Sequence, residues 1–167
     1  QTGELMYENV LDADVLPYLY QCAKDNQFAI VTYKDKYVLT EHPDDEYVLK
    51  EAILNVMETK KVDNFLVAID FPVAKCLIVG EATRLAELEK VMYEALKERM
   101  GVYRSEPYFL ELVPKGIDKA QSLAVLLEKI GATKEEMIAV GDGFNDLSMI
   151  KFAGLGVAMA NAQEVVR

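Results

Sequence analysis

Several residue types that mark common protein classes are scarce in this chain. It has two cysteines among 167 residues, Cys22 and Cys76, and a single histidine, His42. Two cysteines make no disulfide framework and suit a reducing compartment, so a cytoplasmic location is expected. Cations are outnumbered, with 18 lysines and arginines against 28 aspartates and glutamates and a net charge of −10. Nucleic-acid binding, which needs a basic face, is therefore not expected. A small phosphorylated partner is not excluded, because one metal ion and one lysine can outweigh the global charge locally. No apolar run reaches the roughly 20 residues of a membrane span, and no charged-then-apolar leader opens the chain. Internal repeats and low-complexity tracts are missing. So is an initiator methionine, and a start at Gln1 is read as a processed or excised piece.

What is present is a chain 51% apolar, enough for a real core in one ordinary domain or two small ones. "ELMYENVL" alternates loosely and is expected to form a strand. Helical spacing runs through Asp12 to Asp25, with Val15, Leu16, Leu19, Cys22 and Ala23 inward. "FAIVTY" and "KYVLTE" predict a hairpin around Lys34 and Asp35. Pro43 to Glu58 reads as a helix. "FLVAIDF" and "AKCLIVG" read as strands. Thr83 to Arg99 predicts an amphipathic helix burying Leu85, Leu88, Val91, Met92, Ala95 and Leu96. "GVYRSE" and "YFLELV" complete an α+β unit over residues 1–112.

After Pro114 the pattern changes. A helix is expected over Asp118 to Ile130, with Leu123, Ala124, Leu126, Leu127 and Ile130 inward and Gly131 as its stop. "MIAVGD" is an apolar run suited to a strand buried on both faces. A helix from Asn145 to Phe152 and a strand at "LGVAM" follow. Helix, strand, helix and strand with short links predict a parallel α/β layer over residues 113–167.

The densest chemistry lies in "VGDGFNDLSMI", Val140 to Ile150. In an open parallel sheet, ligands gather beyond the carboxyl ends of the strands, where Asp142 is expected. Mg²⁺ takes a few carboxylate oxygens plus water and phosphate oxygens, and Asp142 suits a direct ligand. Gly143 permits a tight turn, and Asn145 can donate to a phosphate or substrate oxygen. Asp146, four residues after Asp142, can hold a metal-bound water or hydrogen-bond the loop. The following helix adds a positive dipole end. Asn and Asp are also ordinary caps, and Gly-Asp-Gly is a common turn, but strand, Asn-Asp pair and helix together favour the functional reading. Lys115 precedes a helix start, where a cation is mildly unfavourable unless an anion binds there. His42, beside Pro43 and an acidic run, reads as a loop residue at a helix start. Tyr103, Tyr108 and Phe109 face either a cleft or the core of the first unit.

"PKGIDKAQSLAVLLEKIGATKEEMIAVGDGFNDLSMIKFAGLGVAMANA" resembles the third and fourth motifs of haloacid-dehalogenase-like phosphatases, specifically the Cof-type branch. Residues 1–112 resemble that branch's large α+β cap, and residues 113–167 part of its Rossmann-like parallel core. The resemblance implies a Mg²⁺-dependent phosphatase of small phosphorylated metabolites, sugar phosphates among them, working through an aspartyl-phosphate. By that pattern Lys115 holds the phosphate and the nucleophile's charge. Asp142 binds Mg²⁺, Asn145 contacts phosphate or substrate, and Asp146 supports the metal's water shell.

The family also opens with a strand ending in Asp-x-Asp-Gly-Thr, whose first Asp is nucleophile and second Asp general acid/base. No such strand is found, nor the second motif's strand ending in Thr or Ser. Asp12 and Asp14 in "VLDADVL" have the right mutual spacing. However, Glu8 and Asn9 interrupt the strand that should precede them, no Gly-Thr follows, and an acidic first helical turn is ordinary. The expectation is a chain lacking the nucleophile, inactive alone, whose missing partner is an N-terminal core segment of the same protein. Two other readings are a non-catalytic module retaining half a site and a fragment of a P-type ion pump, whose hinge also reads Gly-Asp-Gly-x-Asn-Asp. The lack of a membrane span argues against the pump.

Overall fold

The computed structural model describes residues 7–167. The chain divides into two compact units, one of Asn9–Lys115 and one containing Gly116–Arg167.

In the first unit a 3₁₀ turn, Ala13–Val15, leads into α1, Leu16–Asp25. Pro17 stands in the first helical turn, where its missing N–H would have had no partner. Strands β1 (Ala29–Lys34) and β2 (Tyr37–Thr40) form the expected hairpin, with Thr32 opposite Leu39. Helix α2 (Glu46–Leu54) begins at Asp45, whose carboxylate accepts from the N–H groups of Tyr47 and Val48. There follow β3 (Glu58–Lys61), α3 (Phe65–Ala68), β4 (Cys76–Val79), α4 (Ala82–Leu96), β5 (Met100–Glu106) and β6 (Phe109–Pro114).

These strands make one sheet in the order β3-β2-β1-β4-β6-β5, antiparallel except for the parallel β2–β3 pair. Alternation along the strands splits the core in two. Ile30, Ile78, Leu110 and Leu112 pack with α1 and α4, while Ala29, Val31, Leu77 and Val79 pack with Val48 and Ala52 of α2. Helix α4 buries Leu85, Leu88, Met92 and Leu96. Val91 and Ala95, expected on that face, are exposed.

Three expectations for this unit need correction. "FLVAIDF" is not a strand. Asn64 caps α3 by accepting the Val67 N–H at 3.0 Å, and the Phe65 N–H reaches Glu41 at 2.8 Å. Local capping outweighs the β-branched composition. The helix expected over Pro43 to Glu58 stops at Leu54, and Glu58 opens strand β3, "ETKK", which has no apolar residue to mark it. It is an edge strand, where exposed lysines discourage further pairing. "ELMYENVL" begins outside the described residues, and its described part, residues 7–11, is not a strand.

The second unit opens with α5, Lys119–Ile130, capped by Asp118, which accepts from the Gln121 N–H at 2.8 Å. It ends at Gly131, whose φ of 71° lies in the left-handed region. A 3₁₀ turn, Lys134–Glu136, precedes β7, Ile138–Gly141. A second 3₁₀ turn, Phe144–Asp146, runs into α6, Leu147–Phe152, and then β8, Leu155–Ala158. Strands β7 and β8 are neighbours and parallel, with Ile138 opposite Leu155 and Gly141 opposite Ala158. The parallel layer is as expected, but burial on both faces is not. Ala139 is buried, whereas Ile138 is 66% and Val140 54% exposed. The apolar residues expected inward on α5 are at best half-buried, and none is fully buried.

Leu110 is completely buried, whereas Leu126 on α5 is 40% exposed. Leu110→Ala is expected to cost about 2–5 kcal/mol, the range for cavity-forming core truncations. Leu126→Ala should cost roughly 1 kcal/mol or less. Urea unfolding followed by circular dichroism checks both.

Candidate functional site

The turn after β7 is held by one side chain. Asp146 is buried, and its Oδ2 accepts the backbone N–H groups of Asp142, at 3.0 Å, and Gly143, at 3.1 Å. Its Oδ1 accepts from Nζ of Lys119, in the first turn of α5. Burial alone would raise the Asp146 pKa. The Lys119 hydrogen bond and the two backbone N–H groups outweigh that, and hold the carboxyl below its ordinary value. Asp146 thus hydrogen-bonds the loop, one of the two parts expected of it.

Two glycines border this carboxylate. A Cβ on Gly141 would sit 2.4 Å from Cβ of Asp146, so only glycine lets the strand end pass this close. Gly143, expected to permit a tight turn, has a φ of −100°, extended backbone open to any residue. An added Cβ would lie 2.7 Å from Oδ1 of Asn145, but that exposed side chain can turn aside, so space does not demand glycine there.

Asp142 is exposed at the carboxyl end of β7. Its Oδ2 accepts from Nδ2 of Asn161 at 3.1 Å. Its Oδ1 has no hydrogen bond to any described residue. Asn145 is also exposed, at the centre of the 3₁₀ turn, with its side chain unengaged among the described residues. Helix α6 is six residues long, so the dipole expected to face the turn is short.

No cluster of three or more His, Cys, Asp or Glu side chains able to hold a metal lies among the described residues. What the turn offers is one accessible carboxylate oxygen, on Asp142, with no sulfur or imidazole beside it. That donor fits Mg²⁺, which takes one or two protein carboxylates and completes its shell with water and phosphate oxygens.

Lys115 is placed differently from its expected role. Its Nζ donates to the Glu98 carbonyl at 2.8 Å and pairs with the Glu98 carboxylate at 3.0 Å, within the first unit. The lysine that meets the turn is Lys119. The cation at the helix start is Lys119, the first residue of α5.

Asp12 and Asp14 both reach Arg99, at 3.5 and 2.7 Å, in keeping with an acidic helix start rather than a nucleophile pair. His42 lines a hollow of about 690 Å³ in the first unit, together with Tyr20, Lys24, Phe28 and Glu41. Tyr108 and Phe109 pack edge to face, 4.7 Å apart between centroids, and belong to the α2 side of the core. Tyr103 is 40% exposed on β5.

A family model for haloacid dehalogenase-like hydrolases matches residues 1–167, and the chain belongs to that family. A solved haloacid dehalogenase-like hydrolase from Bacteroides thetaiotaomicron is 59% identical, with a TM-score of 0.92 over 98% of this chain and 61% of that one. The Bacillus subtilis phosphatase YcsE, which acts on 5-amino-6-(5-phospho-D-ribitylamino)uracil, is 46% identical over 79 residues, 47% of this chain and 32% of its own. An HMP-PP phosphatase of Escherichia coli is 28% identical over 99% of this chain and 60% of its own length. The chain thus spans at most about 60% of these relatives.

A carboxylate with a depressed pKa stabilises the fold above its unfolded-state pKa and loses that contribution as pH falls through its folded value. Thermal melts of wild type and Asp146→Asn should differ by a constant amount from neutral pH downward. The gap should begin to close near about pH 5, where the unfolded carboxyl starts to protonate, and go on closing as pH falls through the lowered folded value.

Proposed function

We propose that this chain supplies the cap and the third and fourth motifs of a Mg²⁺-dependent phosphatase of small phosphorylated metabolites, sugar phosphates included. The observation that carries the proposal is the pairing of Lys119 with Asp146 directly behind the accessible Asp142 carboxylate. Family membership and the phosphatase names of relatives such as YcsE support it. Residues 9–115 act as the cap that selects substrate, and residues 116–167 carry part of the core.

Each residue then has a chemical part. Lys119, held against Asp146, places an ammonium where a phosphoryl oxygen gains charge, and it replaces Lys115 in that role. Asn145, exposed and unengaged, donates its amide to phosphate or substrate. Asp142 provides one carboxylate oxygen to the cation. When bound, Mg²⁺ offsets the charge of the transferring phosphoryl group. Asp146 keeps Lys119 and the turn in register, so that these groups need not reorganise during reaction.

The attacking carboxylate and the general acid are not among the residues found here. In the intact enzyme they belong to an Asp-x-Asp-Gly-Thr strand end, with phosphate carried on the first Asp. A cytoplasmic site of action suits two free cysteines and the absence of any helix, among the described residues, long and apolar enough to cross a membrane.

The 167-residue chain alone should release phosphate from p-nitrophenyl phosphate and a sugar-phosphate panel no faster than a buffer blank. Clear turnover abolished by Asp12→Asn would instead promote the "LDAD" stretch. In the intact enzyme, Lys119→Met should cut turnover by about 10²-fold or more, the scale for losing one oxyanion donor. Lys115→Met should stay within roughly 3-fold of wild type, as befits the loss of an exposed ion pair. Asp142→Asn should weaken Mg²⁺ binding measured by calorimetry, and unchanged affinity would remove Asp142 as a ligand.

A further inference from the structure

Asp142 and Asp146 stand four residues apart in one turn, but their surroundings differ in kind. Asp146 takes a cation and two backbone N–H groups, so its charge is spent inside the protein. Among the described residues, the Asp142 carboxylate takes a single neutral donor, Nδ2 of Asn161 at 3.1 Å on Oδ2. A neutral amide orients a carboxylate without cancelling its charge, whereas a lysine there would compete with any incoming cation.

Asn161 is not brought there by chance drift of an exposed side chain. Its loop, which follows β8, is tied to the Asp142 strand end through the backbone. The Met159 N–H donates to the Gly141 carbonyl and the Gln163 N–H to the Asp142 carbonyl, both at 3.0 Å. Ala162, next to Asn161, is buried, and its N–H donates to the Met159 carbonyl at 2.9 Å. Three backbone bonds therefore fix the loop, and Asn161 reaches Oδ2 from a defined position.

We infer that Asn161 is a positioning residue for the cation site: it fixes the rotation of the Asp142 carboxylate so that Oδ1 alone is presented to the metal. This deepens the functional reading above and rests on Asp142 being a metal ligand. Without Asn161 the exposed carboxylate turns freely about its Cβ–Cγ bond, and that freedom must be lost on binding.

The experiment is calorimetric Mg²⁺ titration of the intact enzyme in the wild-type, Asn161→Ala, Asn161→Gln, Asp142→Asn and Asp142→Asn/Asn161→Ala forms, with thermal melts as a folding control. Asn161→Ala should weaken Mg²⁺ about 10-fold or more, the scale seen for groups that orient metal ligands. Asn161→Gln, which keeps the donor on a longer arm, should recover part of that loss. The double variant should bind no more weakly than Asp142→Asn alone, because Asn161 acts only through Asp142. The backbone bonds of the loop survive each substitution, so melting temperatures should move little. Wild-type affinity in Asn161→Ala beside weakened binding in Asp142→Asn overturns the inference and leaves the metal reading standing. Wild-type affinity in both overturns the metal reading as well. Additive losses in the double variant also overturn the inference, since Asn161 would then act independently of Asp142.

Discussion

Three donors converge on the carboxylate of Asp146, and the second unit's chemistry hangs on that convergence. The buried group must be ionised to take them, and a buried charge is tolerated only when it is paired and hydrogen-bonded. Lys119 and the N–H groups of Asp142 and Gly143 meet that condition together. In doing so they bind the start of α5 to the end of β7. The backbone of Asp142 is thereby fixed by its neighbour four residues on, while its side chain is met by Asn161 instead. Gly141 is a corollary, because no other residue leaves room for Asp146.

Under the proposed function, the arrangement also accounts for an acidic chain hosting an anionic substrate. A net charge of −10 acts weakly at a distance through salt water. Close to the turn stand one ammonium, an exposed carboxylate held by Asn161, and a carboxamide unengaged among the described residues. The negative charge of Asp146 does not oppose an arriving phosphate as an isolated carboxylate would, because Lys119 accompanies it.

Much of this was legible in the letters, and the failures have definite causes. The turn stood out because Gly-Asp-Gly, Asn-Asp and a flanking apolar run agree with one another, and the parallel β7–β8 pair follows from the same run. Lys115 was the lysine expected to serve the turn, and Lys119 is the one paired with Asp146. Lys115 and Lys119 both flank the start of α5, and only tertiary pairing separates the one held by Glu98 from the one held by Asp146. Asn161 carried no signal beyond its presence in "MANA", since its partner lies 19 residues away. In the first unit β3 was hidden because an edge strand of Glu, Thr and Lys has no hydrophobic period to read. Helix α3 was hidden because a single cap at Asn64 overruled a strand-like composition.

The exposed apolar positions of β7 and β8 bear on the calorimetry of the chain. Heat-capacity change and denaturant sensitivity on unfolding both scale with the surface newly exposed. In the first unit, a six-stranded sheet buries apolar side chains on both faces. In the second, Ile138, Val140, Leu155 and Val157 already meet solvent, and among the described residues Ala139, Ala162 and Val166 are the buried apolar ones. Nearly all of the heat-capacity increment therefore belongs to the first unit. The second contributes a shallow, weakly temperature-dependent transition, whose steepness grows only as those strand faces become covered.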